Sequence, residues 1–493
     1  MSKASFVAGP RTSCRPGRLL PTAVRVLALA VLMIAAVSLG VAGCASAARE
    51  GAPARPATPT AGTCHGTIVR VHGTGVPVVD RRHLQQAIAL GETSGECVLL
   101  LGHFNVGFCV WCIKITGPVT VTGQADPTGP SPSPRSQTVV RATGGLGSLT
   151  VDESPSASAG IVRVSDLWLQ GNTLVGLAIR NFYRGTLEID HNRITDISER
   201  ARFRFGIVGG LLVPGSHMLA GNLIVADNYV NTTARPFLPG DDNGVALQGD
   251  TFNSISYLHN TVITKGDSLE IEGSTARTVR IDDNTVVTQS QKNSKFAEIV
   301  KTVGYPRLHG GHPAALKFAG NDVANFSITD NAITVGGGSN TIVCIMQYMS
   351  DPQTSLYKHR ITDITGNRCA MQHIFAGLLG GWSGERPFFP EGTLDDAVVA
   401  HNTFRGTADF GIAMMDFTVR AAPSNNLVNT SNDDVFTCND LSAFRSIKGG
   451  ASLYFGPSTH NNRFIGHPHG QVINLGKHNH VIDGEHRMAC NAA

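Results

Sequence analysis

Charge is scarce in this chain of 493 residues: Asp, Glu, Lys and Arg make up 16% of it, and aromatics 6%, with Trp at only 3. A disordered protein would carry more charge and fewer than the 42% hydrophobic residues found here, so a folded body is expected. Cysteine, at 10 residues, is too thinly spread for a disulfide-stapled miniprotein. Acids are missing altogether from residues 1–43, which carry Lys3, Arg11, Arg15, Arg18 and Arg25. Removing those five from the 40 basic residues leaves 35 against 37 acids, a near-neutral body. That balance lacks the concentrated basic face of a nucleic-acid binder, and no nucleic-acid partner is expected. Length alone would suggest about three domains. Low charge, few aromatics and 55 Gly among many Asn point instead to a repetitive all-β chain.

No apolar run is long enough to span a bilayer comfortably, which takes about 20 residues. The longest, Val26 to Val41, is broken by Ser38 and Gly40 and ends in Val41-Ala42-Gly43-Cys44. A basic start, a short apolar stretch and small residues before a cut form a secretory signal. Its end resembles a bacterial lipobox, which implies lipidation of Cys44 and a membrane-tethered lipoprotein at the cell surface or in the periplasm. The alternative is an ordinary secreted protein. Residues 44–62, rich in Ala, Pro and Thr, read as a tether, leaving 63–493 as the folded domain. With Cys14 removed and Cys44 lipidated, eight cysteines remain, and an exported chain would pair them. Proximity in sequence favours Cys64–Cys97, Cys344–Cys369 and Cys438–Cys490. Cys109-Val-Trp-Cys112 has C-x-x-C spacing, but Phe108 to Thr122 reads as strand rather than a redox helix, so structural pairing is expected.

A phrase recurs along the chain: apolar, any, any, Asn, any, apolar. It is centred on Asn172, Asn192, Asn228, Asn260, Asn284, Asn331, Asn367 and Asn402, at spacings of 20, 36, 32, 24, 47, 36 and 35 residues. These fit a base period of roughly 20–24 residues with insertions, as in a solenoid. Fifteen residues before Asn192, Asn260, Asn284 and Asn331 stand Leu177-Ala-Ile-Arg-Asn181, Val245-Ala-Leu-Gln-Gly249, Leu269-Glu-Ile-Glu-Gly273 and Leu316-Lys-Phe-Ala-Gly320. Alternation of period two marks strands, and the terminal Gly or Asn marks a bend. Two or three short strands per coil, stacked coil on coil, predict a parallel β-helix in which each coil buries the apolar side of the next. The Asn is expected at a tight corner, in the left-handed conformation it tolerates. Whether the 284–331 interval is one swollen coil or two regular ones stays open.

Solenoids need caps. Asp80 is expected to N-cap a short helix running through Ala89 and ending at Gly91, with Leu84 and Ile88 on one face. Strands Val98 to Leu101 and Ile113 to Thr122 follow, then a Pro/Ser/Gly loop from Asp126 to Ser136. The stretch from Val78 to Asp126 resembles the N-terminal part of the pectin-lyase-like superfamily. That resemblance, one of architecture, implies a single-stranded right-handed parallel β-helix with a helix plugging its open end: cap and first strands in 63–125, regular coils in 160–405, C-terminal coils and cap in 406–493. The superfamily includes polysaccharide lyases, hydrolases, epimerases and structural proteins, so fold cannot assign function. The Asp-Pro-His-Asp of alginate epimerases, the Arg-x-Pro-x-x-Arg of pectate lyases and the Gly-His-Gly of polygalacturonases are all missing. Asp241-Asp242 resembles a polygalacturonase doublet. Ile189-Asp190-His191 resembles a pectate-lyase fragment, but it belongs to the corner phrase and reads as structure.

If the four strand phrases stack, their outward positions form two columns: Ala178, Ala246, Glu270 and Lys317 in one, Arg180, Gln248, Glu272 and Ala319 in the other. Glu270 and Glu272 then point the same way, as paired acids or as ligands for Ca²⁺. Asp267 lies in the turn feeding their strand, and Lys317 is a candidate base or uronate contact. These four are the candidate catalytic residues. Arg180, Gln248, Asp241, Asp242, His309 and His312 are candidates for holding a polysaccharide or cell-envelope glycan, the two histidines within an insertion walling a groove. The plain alternative is a solvated strand face. A rival site is C-terminal, where His467-Pro-His469 and His478-Asn-His480 would, on strands, place paired imidazoles on one face for copper or zinc. Six histidines fall between His460 and His486, although Pro468 interrupts a regular strand. The leading expectation is a carbohydrate-active lyase, hydrolase or epimerase. A non-catalytic envelope scaffold or adhesin comes second, and a copper-handling protein third.

Overall fold

The computed structural model describes Cys64 and residues 67–482, apart from 130–136, 146, 172–174, 198–202, 211–216, 234–240, 290–313, 337–342, 351–355, 358, 381–391, 415–430 and 458. The contacts divide the chain into units 1–43 and 44–493, and the described residues all belong to the second. Cys44, His309, His312, His486 and Cys490 therefore lie outside the described residues. No described helix is long and apolar enough to cross a membrane.

The described body is all-β, one long and mostly parallel sheet with one helix. One turn shows the plan. Strand Thr251–Leu258 is followed by Thr261–Thr264 and Leu269–Glu272, and the next strand, Thr275–Asp282, pairs in parallel with Thr251–Leu258. Thr261–Thr264 pairs likewise with Thr285–Gln289, and Leu269–Glu272 with the first part of Ala314–Thr329. Three strands per turn, each hydrogen-bonded to its counterpart one turn on, are compatible with a parallel β-helix. An exception to the parallel pairing is the short antiparallel contact of Met349 and Ser350 with Thr393 and Gly392.

Period-two alternation sends one set of side chains into a continuous core. Ile189, Val225, Tyr257, Ile281, Ile328, Ile364 and Val399 line up on one wall, Ile194, Val230, Val262, Val286 and Ile333 on the second, and Leu247, Ile271 and Phe318 on the third, all buried. Each contributes on the order of 1.5–3 kcal/mol.

The corners correct one expectation. The left-handed residue is the one before the Asn: His191 (φ 52), Asp227 (φ 54), His259 (φ 53), Asp283 (φ 50), Asp330 (φ 55), Gly366 (φ 73) and His401 (φ 55). The Asn itself is buried and bonds its neighbours. Asn260 Oδ1 accepts from Asn228 N and Nδ2, both at 3.0 Å, while Asn260 Nδ2 donates to Val225 O at 2.8 Å and Asn284 Oδ1 at 3.1 Å. The ladder runs from Asn192 through Asn402 to Asn439. Asn172 lies outside the described residues; before Asn192, the N–H that donates to Asn192 Oδ1 is that of Leu167, at 3.1 Å. Asn284 bonds Asn331 directly, so the 47-residue interval is a single swollen turn.

The N-terminal helix spans Pro77–Ser94, longer than expected, and ends at Gly95 in the left-handed conformation (φ 72). Pro77 opens it, since a proline at the first position loses no helical hydrogen bond. Asp80 is inside the helix rather than at its cap. Its buried carboxylate reaches back to accept from Thr74 N at 2.7 Å, Gly75 N at 2.9 Å and Asn105 N at 2.7 Å, tying the helix to the first turns. Gly91 does not terminate it. A Cβ there would come within 2.8 Å of Val98 and Val119 side-chain atoms, so the glycine allows close approach to the strands. The stretch expected as one strand from Phe108 to Thr122 is broken into His103–Cys109, Lys114–Ile115 and Val119–Thr122, with Trp111 at φ 52. Disulfides join Cys64–Cys97, Cys109–Cys112 and Cys344–Cys369. Cys438 is also disulfide-bonded.

Candidate functional site

The two outward columns exist, with one rung added. Ala178 pairs with Val208 and Val208 with Ala246, so strand Phe203–Gly210 stands between the first two phrases; Ala246, Glu270 and Lys317 then follow in direct register. In the second column Gln248 pairs with Glu272 and Glu272 with Ala319. Glycines after these strands take positive φ at Gly249 (67), Gly273 (55) and Gly320 (60), as the bend requires, and Asn181 does not.

Five of the candidate residues meet. Lys317 Nζ donates to Glu270 Oε1 at 3.2 Å, lies 3.9 Å from Asp267 Oδ2 and forms an ion pair with Glu272 Oε1. Gln248 Nε2 bridges the two glutamates, 3.2 Å from Glu270 Oε1 and 3.1 Å from Glu272 Oε2. Asn243, which the sequence patterns did not single out, donates through Nδ2 to Glu270 Oε2 at 2.8 Å and accepts from Asp267 N at 3.0 Å. Asp267 Oδ1 in turn accepts from Ala314 N at 2.6 Å, pinning the turn before Leu269–Glu272 to the following coil.

This is no solvated strand face. Glu270 is 5% exposed, Glu272 1% and Lys317 2%. The same outward column is apolar on either side: Ala178, Val208 and Ala246 cluster before it, and Met346, Leu379 and Ala413 continue it after Lys317. A signal for a covered outer face was present in the sequence. Strands such as Arg368–Gly380 and Thr403–Met414 end in runs apolar at both parities, which period-two alternation with one wet face would not produce.

The remaining candidates lie elsewhere. Arg180 Nη1 is 3.3 Å from Asp152 Oδ2, to which Lys114 Nζ also bonds at 2.7 Å, and two intervening strands separate it from Glu270. Burial works to raise the Asp152 carboxyl, but bonds from Lys114 and Asn181 and the Arg180 charge hold it below its ordinary value. Asp241 and Asp242 open strand Asp241–Gln248, and their side chains lie outside the described residues.

The C-terminal histidines depart from the strand-face expectation. His467 and His469 fall outside any strand, with His469 at φ 53, although their rings lie 4.4 Å apart edge to face. His478 is a left-handed corner residue (φ 57) before Asn479, and His480 begins strand His480–Ile482, so this pair does not share one strand either. Pro468 cannot donate to a sheet, which accounts for the first break. Among the described residues, no group of three or more His, Cys, Asp or Glu is arranged to hold a metal ion. At Glu270 and Glu272 the Lys317 ammonium occupies the place a Ca²⁺ would need between the carboxylates.

A further charged cluster packs at a corner. Arg163 Nε donates to Asp190 Oδ1 at 2.9 Å, and His191 Nδ1 lies 2.9 Å from Asp190 Oδ2. The bond to Asp190 raises His191 to about 9 despite burial. Burial pushes Asp166 up to about 6 against hydrogen bonds from Thr122 and Ser165. The Ile189-Asp190-His191 fragment thus serves the corner, as its position in the phrase implied.

No protein-family model matches the chain, and no curated protein matches it significantly.

Proposed function

We propose that this protein is an exported, membrane-tethered, right-handed parallel β-helix of pectin-lyase-like architecture that binds and cleaves a polysaccharide at the Asp267, Glu270, Glu272 and Lys317 cluster. The right hand follows from the near-universal sense of parallel strand crossovers. The observation that carries the functional reading is the convergence of three carboxylates on one lysine, the kind of acid, base and cation set that lyase and hydrolase chemistry uses. Their shared partner Gln248 keeps Glu270 Oε1 and Glu272 Oε2 closer than about 6.5 Å, too close for the intervening water of an inverting glycosidase. A retaining hydrolysis or an elimination fits that spacing better. In this scheme Lys317 and Gln248 hold the glutamates, and Asn243 orients Glu270.

The test is a screen of the exported protein against uronate and neutral polysaccharides, following both unsaturated products and reducing ends, with Glu270→Gln and Glu272→Gln beside it. Turnover that both variants lose while melting normally is the expected result. Turnover that survives both removes the cluster from catalysis, and no turnover on any polymer removes the enzyme reading.

One observation favours a second reading, a non-catalytic envelope scaffold. The cluster is buried and its members satisfy one another, as they would if their task were to join three coils. The same screen separates the two.

A further inference from the structure

An exposed apolar patch lies at the N-terminal end of the sheet. Val76 is 52% exposed and Val78 60%, at the start of the helix Pro77–Ser94; Phe108, near the end of strand His103–Cys109, is 69% exposed and Val110, just after it, 48%. The two segments touch. A Cβ at Gly107 would come within 2.9 Å of Pro77 Cβ, and Arg81 Nη1 donates to Phe108 O at 3.5 Å. The Cys109–Cys112 disulfide closes the tip, so the two apolar side chains are held outward on a short rigid loop.

Two arginines lie on the same helix just after this patch. Arg81 and Arg82 follow Val78 on the helix, and the only acid in that first turn, Asp80, turns inward to backbone amides. Exposed apolar side chains rimmed by arginine have the composition of a surface that lies on anionic lipid. The chain outside the described residues says which end faces a membrane. Cys44 and the first described residue, Cys64, are only 20 positions apart in sequence, and on the tether reading a linker of that length has a root-mean-square reach of about 25 Å. A lipid on Cys44 would keep this end of the body close to the bilayer.

We propose that Val76, Val78, Phe108 and Val110 dock on the anionic membrane surface to which Cys44 is tethered, so that the protein stands on the bilayer by its capped end. This rests on the tethered-lipoprotein reading above.

The experiment uses the full chain expressed in a bacterial host and purified in its processed form. It is mixed with phosphatidylethanolamine/phosphatidylglycerol vesicles, with and without brominated acyl chains. Flotation reports the tether. Quenching of tryptophan fluorescence by the brominated lipid, in the part that Trp111→Phe removes, reports contact at the tip. Flotation with quenching, and loss of that quenching in Phe108→Ser/Val110→Ser, is the expected result. Both substituted residues are exposed, and an unchanged melting curve verifies the fold. Flotation without Trp111 quenching overturns the docking and leaves the tether standing. Failure of the chain to float overturns the tether, and the docking with it.

Discussion

Asn284 and Asn331 are 47 residues apart, yet Asn284 Nδ2 donates to Asn331 Oδ1 at 2.9 Å. The bond places them on successive turns of one corner ladder, whatever the length of chain between them. Asn284 Oδ1 also accepts from Asn260 N at 2.8 Å, and Asn284 Nδ2 donates to Tyr257 O at 2.9 Å. Replacing it with Ala would take these bonds from Asn260 N and Tyr257 O on the preceding turn and one of two donors from Asn331 Oδ1 on the next. A loss of about 2–4 kcal/mol is expected in urea unfolding. A loss below about 0.5 kcal/mol, the scale of an ordinary surface change, would show the ladder to be dispensable.

Lys317→Met tests the buried cluster as a structural unit. Removing the ammonium takes from three carboxyl groups the cation they share, and a loss of about 3–5 kcal/mol is expected. Adding Glu270→Gln and Glu272→Gln to the same variant removes two of those carboxyl groups. Chemical denaturation of the triple variant should recover a large part of the stability; no recovery would show that Lys317 acts through packing alone.

The Asp190–His191 pair gives a pH dependence with a definite sign. His191 is raised from 6.5 to about 9 by its bond to Asp190, so its contribution is complete below pH 6.5 and lost as pH rises through about 9. For Asp190, burial pulls upward but the bonds from Arg163 and His191 hold the carboxyl below 3.8. Its contribution is therefore present above that value and lost on further acidification. His191→Gln should melt below the parent protein at pH 6, by about 1–2 kcal/mol, and match it at pH 10. Equal melting at pH 6 would remove the pair from the stability of the corner.

Asp166 behaves in the opposite way. Burial lifts it to about 6, so the folded state loses stability as pH rises from 3.8 through 6. Asp166→Asn keeps a residue suited to φ 56 and removes the buried charge. It should stabilise by about 1–2 kcal/mol at pH 8 and have little effect at pH 4, read from thermal melts at both values. Destabilisation at pH 8 would mean that the charge has a favourable partner.

Much of this arrangement was legible from residue patterns, for identifiable reasons. Phrases beginning at Val245, Leu269 and Leu316 matched because those strands stack without irregularity, so Ala246, Glu270 and Lys317 fall in register. The strand Phe203–Gly210 was missed because Gly209 stands where its neighbours carry Ile179 and Leu247, which hides the alternation. The corner was misassigned by one residue. Asn is the repeated letter, but Asp, His or Gly before it bears the positive φ, and the Asn is repeated because its buried amide bonds both adjoining turns. Burial of the glutamates was out of reach of alternation alone, since period two says which face a side chain takes and not what lies against that face. Asn243 joined the site through its place one strand away, with no pattern of its own.

The swollen turn separates two kinds of sequence change. Its ladder, from Asn284 to Asn331, and its paired strands, Thr285–Gln289 with Ala332–Gly336, keep the register of their shorter neighbours. Lengthening such an excursion twofold costs only about 0.6 kcal/mol in closure entropy. New recognition segments can therefore be grafted at this one position, by evolution or by design, while the lumen beneath keeps its original packing.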